Sequence, residues 1–283
     1  MYWQHLFQLL QRYKTAALLA SSLGIALVIK ASFQHTLIKT GAYLVTLGIC
    51  FLVSEFIYHS GKLQFPNWRI NSPRQEFKVA LFCELAGVLL LVTVFMLIDR
   101  NTLPKEWGMV LMILRLLFVF PVVVLAYLLA IKRYTLQEIG FKFHHWFVAL
   151  PLMIIIGTVS FFGFPEGVQW EQIIMQNGYW SILTLGFLTA AIPEEVLRNF
   201  FQSRLSEVIN NNGLGWILTS LIWALSHIPF FGSENGDYAA ATLSAIGIMP
   251  IGLLWGYLNQ RYRSIIPSIL IHGTNLWGLQ NIF

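Results

Sequence analysis

Long apolar runs separated by short polar connections set the strongest limit on how this chain can fold. A helix needs about twenty residues to cross roughly 30 Å of hydrocarbon, and it satisfies its backbone hydrogen bonds internally. The pattern therefore predicts an all-α, polytopic integral membrane bundle of eight or nine transmembrane helices, the shortest run being the uncertain one. The runs are residues 16–29, 41–58, 77–98, 107–131, 146–164, 180–201, 214–229, 239–258 and 265–279.

Composition agrees with a membrane protein rather than a soluble domain. Hydrophobic residues make up 57% of the 283 residues and charged residues only 11%, with a mean hydropathy of +0.65. Soluble domains carry roughly one-quarter charged residues. The formal net charge of +5 is interpreted as a topology signal, so no nucleic-acid partner is expected.

Basic and acidic connections alternate in the C-terminal half. Connections 57–76, 132–145 and 259–264 contain lysines and arginines, whereas 165–179 and 230–238 contain only acidic charges. Because basic residues gather in cytoplasmic loops, this alternation predicts a C-terminus on the outer side. The expected location is a bacterial cytoplasmic membrane.

The chain is predicted to form one integral membrane unit, with N-terminal transmembrane helices over residues 1–134 and core helices over residues 135–283. Cys50 and Cys83 lie inside apolar runs and have neither CxxC nor Cys/His spacing. The cysteines therefore indicate neither a disulfide framework nor a structural zinc site.

Two adjacent carboxylates and an arginine, Glu194, Glu195 and Arg198, interrupt the run 180–201. Each charge at the centre of a span costs roughly 2.5–3.5 kcal/mol, and each large apolar residue recovers only about 0.5 kcal/mol. Their polar face must therefore point into the protein or a water-filled cavity. Arg198 follows the two glutamates by four and three residues, so it can clamp one and leave the other free. A purely structural ion pair remains an alternative.

Further polar side chains lie at similar membrane depth in two later runs, namely His227, His272 and Asn275. At about 1.5 Å per residue, they lie about 10–20 Å from the cytoplasmic ends of their helices, and Glu194 lies about 10–12 Å deep. All could meet in one cavity in the cytoplasmic half of the bilayer. A glutamate beside a histidine can activate water, and a histidine with an asparagine can stabilise an oxyanion. A glutamate with two histidines could instead bind zinc, although HExxH is absent.

These residues resemble the CPBP or ABI family of CAAX-processing and bacteriocin-processing intramembrane endopeptidases, which includes the Rce1-type proteases. The resemblance covers roughly residues 135–275. Arginine and asparagine follow their motif partners by three residues here where the family usually has four, and tryptophan replaces the usual phenylalanine. The residues that match the family motifs are Glu194, Glu195, Arg198, Trp223, His227, His272 and Asn275.

The resemblance implies an intramembrane endopeptidase that hydrolyses a peptide bond of a membrane-associated protein or peptide, in CAAX-type or precursor processing. It implies Glu194 as base with His227, Glu195 and Arg198 as orienting partners, and His272 with Asn275 as oxyanion donors. We favour a metal-free mechanism. A divalent metal such as zinc on Glu194, His227 and His272 is the alternative.

Two other functions are compatible with polar groups at membrane depth. A non-proteolytic immunity or membrane scaffold protein would explain the shortened motif spacings. A proton-coupled transporter is disfavoured, because transporters often carry internal repeats and none is recognised in this sequence. The expected partners are the lipid bilayer and a protein or peptide substrate, with a prenylated tail as one option.

Overall fold

The computed structural model describes residues 14–33, 36–61, 68–99, 110, 121–163 and 182–275, and every regular element in those ranges is helical. The N-terminal elements are α1 (Lys14–Phe33), α2 (Leu37–Ser60), α3 (Pro73–Asp99), α4 (Val123–Ala126) with a π-helical continuation (Tyr127–Ile131), and α5 (Ala149–Thr158) between a 3-10 turn (Phe143–Val148) and a π-turn (Val159–Gly163). The C-terminal elements are a π-helix (Ile182–Ala191) that runs into α6 (Ile192–Val208), then α7 (Asn212–Leu225), α8 (Ile228–Asn235), α9 (Tyr238–Tyr262) and α10 (Ile266–Asn275).

Four stretches in the described part of the chain are long and apolar enough to cross a membrane, and each overlaps a predicted run. The total of eight or nine spans stays a prediction, because most of the run 107–131 lies outside the described residues, as does the connection 165–179. The division at residue 134 also stays a prediction. The four stretches are Leu37–Ser60, Pro73–Val94, Asn212–Gly232 and Tyr238–Tyr262.

The outer surface of the helices is apolar. Ile38 on α2 is 86% exposed, Phe82 on α3 is 69% exposed and Phe162 after α5 is 77% exposed. Soluble monomers rarely expose large contiguous apolar surfaces. Together with the four long apolar helices, this surface identifies an integral membrane protein whose helices face lipid.

The interior of the bundle is built around α9. Its side chains Leu254, Trp255, Leu258 and Tyr262 are almost fully buried and pack with residues of α2, α5 and α10. Helix α6 packs between α3 and α7. The polar stretch of α6 is thereby enclosed by protein, as its insertion cost required.

Two glycines allow α10 to cross the π-helix 182–191 at short distance. A Cβ atom added to Gly186 would lie 2.4 Å from the carbonyl oxygen of Gly273. A Cβ added to Gly273 would lie 2.5 Å from the ring of Phe187. Small residues permit such close approach in membrane helices, and this crossing fixes the position of α10.

We expect Gly186→Ala to destabilise the protein by about 1–3 kcal/mol, because the added methyl group meets backbone that cannot rotate away. The measurement is thermal unfolding of the purified protein in detergent. Gly157→Ala on α5 is the matched control, since nothing lies within 4 Å of its added Cβ. Alanine exceeds glycine in helix propensity by about 1 kcal/mol, so the control should be neutral or slightly more stable. Equal stability of the two variants would contradict the close crossing.

The three basic connections contact one another at one end of the bundle. Arg69 pairs with Glu138 at 3.1 Å, Arg263 lies 4.7 Å from the ring of Trp68, and the hydroxyl of Ser264 donates to the carbonyl oxygen of Lys142 at 3.2 Å. Their location at a common end supports the assignment of all three to one membrane side. Which side this is stays a prediction.

Lys142 in this basic region is 4% exposed. Burial lowers its pKa to about 8, with the nearby charge of Arg263 as the second cause. An unfolded lysine keeps its proton up to about pH 10.4. The unfolded state therefore binds more protons between these values, so the contribution of Lys142 makes the folded state more stable as pH rises through this range.

Lys142→Met is accordingly expected to be more stable than the wild type near about pH 7, and the difference should shrink toward about pH 9.5. Thermal unfolding in detergent across this range measures the effect. Lys39→Met, at an exposed position on α2, serves as the control and should follow the wild-type pH dependence. A stability difference that does not change with pH would exclude the buried charge as its cause.

Candidate active site

The polar residues of α6 begin where the helix changes its winding. The π-helix ends at Ala191 and the α-helix begins at Ile192, with Pro193 in its first turn. Proline has no N–H to donate to the preceding turn, so within this continuous helix it removes one backbone hydrogen bond. Glu194 and Glu195 therefore follow directly on the change of winding.

Glu195 is fully buried and accepts hydrogen bonds from three side chains. Arg198 Nε lies 3.1 Å from its Oε1, and Asn259 Nδ2 lies 3.0 Å from its Oε2. His272 Nδ1 lies 3.1 Å from Oε1. A buried carboxylate with this many charge-assisted bonds is fixed in place, so Glu195 suits an orienting role.

Glu194 has a different environment from its neighbour. Its side chain is 14% exposed, and its Oε2 accepts a 2.7 Å hydrogen bond from Trp223 Nε1. The same oxygen lies 3.9 Å from His272 Nε2. This separation is too long for a direct hydrogen bond and suits a shared water molecule.

His272 connects the two carboxylates. An ionised carboxylate only accepts hydrogen bonds, so the bond to Glu195 assigns a proton to Nδ1 and leaves Nε2 on the side of Glu194. The ring stacks on Trp255 with centroids 3.8 Å apart and an interplanar angle of 12°. Both contacts fix the ring orientation.

Arg198 contacts two indole rings, which also pack against each other. Its guanidinium carbon is 4.1 Å from the Trp223 ring centre and 5.5 Å from that of Trp255. Arg198 Nη2 and Trp255 Nε1 are buried and have no hydrogen-bond acceptor among the described residues. Buried donors are nearly always satisfied, and ordered water is a common partner. The surroundings of the carboxylates are therefore suited to hold water.

The remaining predicted site residues are His227 and Asn275. His227 Nδ1 is 2.8 Å from the carbonyl oxygen of Trp223, and the two rings are 4.7 Å apart. His227 thus contacts Trp223, whose indole nitrogen donates to Glu194. Asn275 ends α10, but its side chain lies outside the described residues, so its predicted role is untested.

Three residues of the site were not anticipated from the sequence. Asn259 donates a hydrogen bond to Glu195, and the hydroxyl of Ser268 donates one to Asn259. Trp255 stacks against the ring of His272. Ser268 lies four residues before His272, on the same helical face, which is a signal that could have been used. Asn259 is a polar residue directly after an apolar run, a weaker signal.

Among the described residues, no three His, Cys, Asp or Glu side chains are grouped so that they could hold a metal ion. His272 Nδ1 is engaged by Glu195, and His227 Nδ1 by a backbone carbonyl. Metal-bound histidines commonly hydrogen-bond through the ring nitrogen that does not hold the metal, so these two bonds do not themselves occupy Nε2 of either ring. The metal-free mechanism stays a prediction with zinc as its alternative, and we derive no reaction step through a metal.

The fold and the site define a helical membrane protein with a buried glutamate and histidine centre. Residues 176–277 match the family model described as type II CAAX prenyl endopeptidase Rce1-like. The match includes every motif residue from Glu194 to Asn275, and it confirms the resemblance to the CPBP family. The matched region covers less than half of the length of the chain. Neither the curated proteins nor the solved structures gave a match to the chain.

Proposed function

We propose that this protein is an intramembrane endopeptidase that cuts a membrane-associated protein or peptide with a water molecule activated by Glu194. The observation that carries the proposal is the 3.9 Å separation between Glu194 Oε2 and His272 Nε2. One carboxylate of the adjacent pair is held by three side chains, while the other faces this gap. Such a difference between neighbouring carboxylates is typical of sites with separate orienting and basic groups.

In the proposed reaction, water in the gap gives a proton to Glu194 as its oxygen attacks the peptide carbonyl carbon. A C–O bond forms, and the carbonyl oxygen takes the negative charge. Protonated Glu194 then gives its proton to the amide nitrogen as the C–N bond breaks. The products are a carboxylic acid and an amine, so atoms and protons balance.

Glu195 acts in this scheme by orienting His272, whose Nε2 contacts the water. When the ring carries both protons, Nε2–H donates to the developing oxyanion, which is the role that the resemblance implies. Asn275 is the predicted second donor. Arg198 and Asn259 hold Glu195 in place, and His227 supports the site through Trp223.

The site lies within reach of the basic end of the bundle. Nine residues of α6 separate Glu195 from Arg204, whose buried pair with Glu76 at 3.0 Å lies at that end. This separation corresponds to about 14 Å along the helix. A peptide segment close to the membrane surface could approach a site at this depth, with the cytoplasmic side as the proposed one.

The test uses the full chain in detergent and two quenched fluorescent peptides that end in a CAAX sequence, one farnesylated and one not. Cleavage of either peptide by the wild type, and its loss in Glu194→Gln, supports the proposal. Equal cleavage by both proteins overturns it.

A chelator added to the wild type tests the metal alternative, because loss of cleavage that zinc restores would require a metal. Binding of the peptide without cleavage would favour the non-proteolytic alternative.

A further inference from the structure

We propose that Trp223 is a positioning residue that holds Glu194 in its reactive orientation through the indole N–H. The catalytic part of this inference rests on the proposed function. Trp223 Nε1 lies on α7 and donates to Glu194 Oε2 on α6 at 2.7 Å. This oxygen is the one that lies 3.9 Å from His272 Nε2, so the indole bond sets the width of the gap proposed for water.

The indole ring is itself held from several sides. Gly252 on α9 leaves room for it, because a Cβ atom there would lie 2.6 Å from Trp223 Cε3. The Arg198 guanidinium lies over the ring at 4.1 Å, and the His227 ring packs at 4.7 Å. A donor fixed in this way can orient a carboxylate without losing much conformational freedom of its own.

The bond is a property of tryptophan at this position. Phenylalanine, which the family resemblance would lead one to expect here, fills a similar apolar space but has no N–H to donate. A hydrogen bond to an ionised carboxylate is about twice as strong as one between neutral groups. Without it, Glu194 can rotate away from His272, and small displacements of a catalytic group can cost about 10²-fold in rate.

The kinetic test compares Trp223→Phe with Trp216→Phe on the farnesylated CAAX peptide. Trp216 lies on the same helix, and its Nε1 donates to the backbone carbonyl of Leu253 at 2.8 Å. Both variants thus remove one indole hydrogen bond and retain an aromatic ring. We expect kcat to fall by about 10–100-fold in Trp223→Phe alone, with KM within about twofold of the wild type.

A double-mutant cycle separates positioning from general stability. Aspartate at position 194 draws the carboxylate back by one methylene group, out of reach of the indole. In a Glu194→Asp background, Trp223→Phe should therefore cause little further loss of kcat. An equal loss in both backgrounds, an equal loss in Trp216→Phe, or a kcat for Trp223→Phe within about twofold of the wild type would each overturn the inference.

An NMR measurement makes the result independent of peptide cleavage. In protein labelled with ¹⁵N-tryptophan, the Trp223 indole N–H resonance should shift in Glu194→Ala, and the Trp216 resonance should not. If the resonance shifts but the wild type cleaves neither peptide, the indole bond is established and the proposed function is removed. Absence of the shift would remove the bond itself, whatever the peptides show.

Discussion

Replacing Glu194 with glutamine is expected to lower the proposed peptide cleavage by about 10²–10⁴-fold and to leave the stability of the protein nearly unchanged. Glutamine keeps an oxygen that can accept the Trp223 indole bond, so the local contacts persist. Its amide cannot take a proton from water, so the proposed base is lost. The measurement combines single-turnover cleavage of the CAAX peptides with thermal unfolding of the same samples.

Glu207→Gln is the matched control for this variant. Glu207 lies on the same helix and is exposed, so its substitution should change neither the rate nor the stability. A Glu194→Gln protein that cleaves within about twofold of the wild-type rate would exclude Glu194 as the base. A large loss of stability in this variant would instead indicate a structural carboxylate.

The proximity of Glu194 on α6 to His272 on α10 was predictable from the sequence, because the rise of a helix per residue is nearly constant. This rise placed Glu194 and His272 in the same layer, and their side chains lie 3.9 Å apart. The apolar runs likewise predicted the helices of the four membrane-length stretches. Both features follow from local geometry and hydrophobicity alone.

The partners of each side chain were not predictable, because they depend on how the helices rotate against one another. Arg198 could reach either glutamate by its spacing, and packing against α9 selects Glu195. His227 was expected to lie in the same cavity as Glu194, and no spacing in the sequence indicated that the ring of Trp223 contacts both residues. The bond of Asn259 to Glu195 joins residues far apart in the chain, and the position of Asn259 after an apolar run does not indicate which side chain it contacts.

Replacing Glu195 with glutamine is expected to destabilise the protein by about 3–5 kcal/mol, because the change leaves the charge of Arg198 buried without its partner. The two side chains are fully buried and 3.1 Å apart. Cleavage should also be lost, since His272 Nδ1 loses the carboxylate that orients it. Thermal unfolding in detergent measures the first effect and the peptide assay measures the second.

The double variant Glu195→Gln/Arg198→Met separates these two effects. It removes both charges, and replacing a whole buried ion pair by neutral side chains is often nearly neutral for stability. We therefore expect it to regain most of the lost stability without regaining cleavage, because His272 still lacks its carboxylate. If the double variant were as unstable as the single one, the buried charge would not be the cause. If it cleaved at the wild-type rate, the role of Glu195 would be limited to stabilising the helical bundle. Glu194 would then have to act without a His272 ring oriented by Glu195.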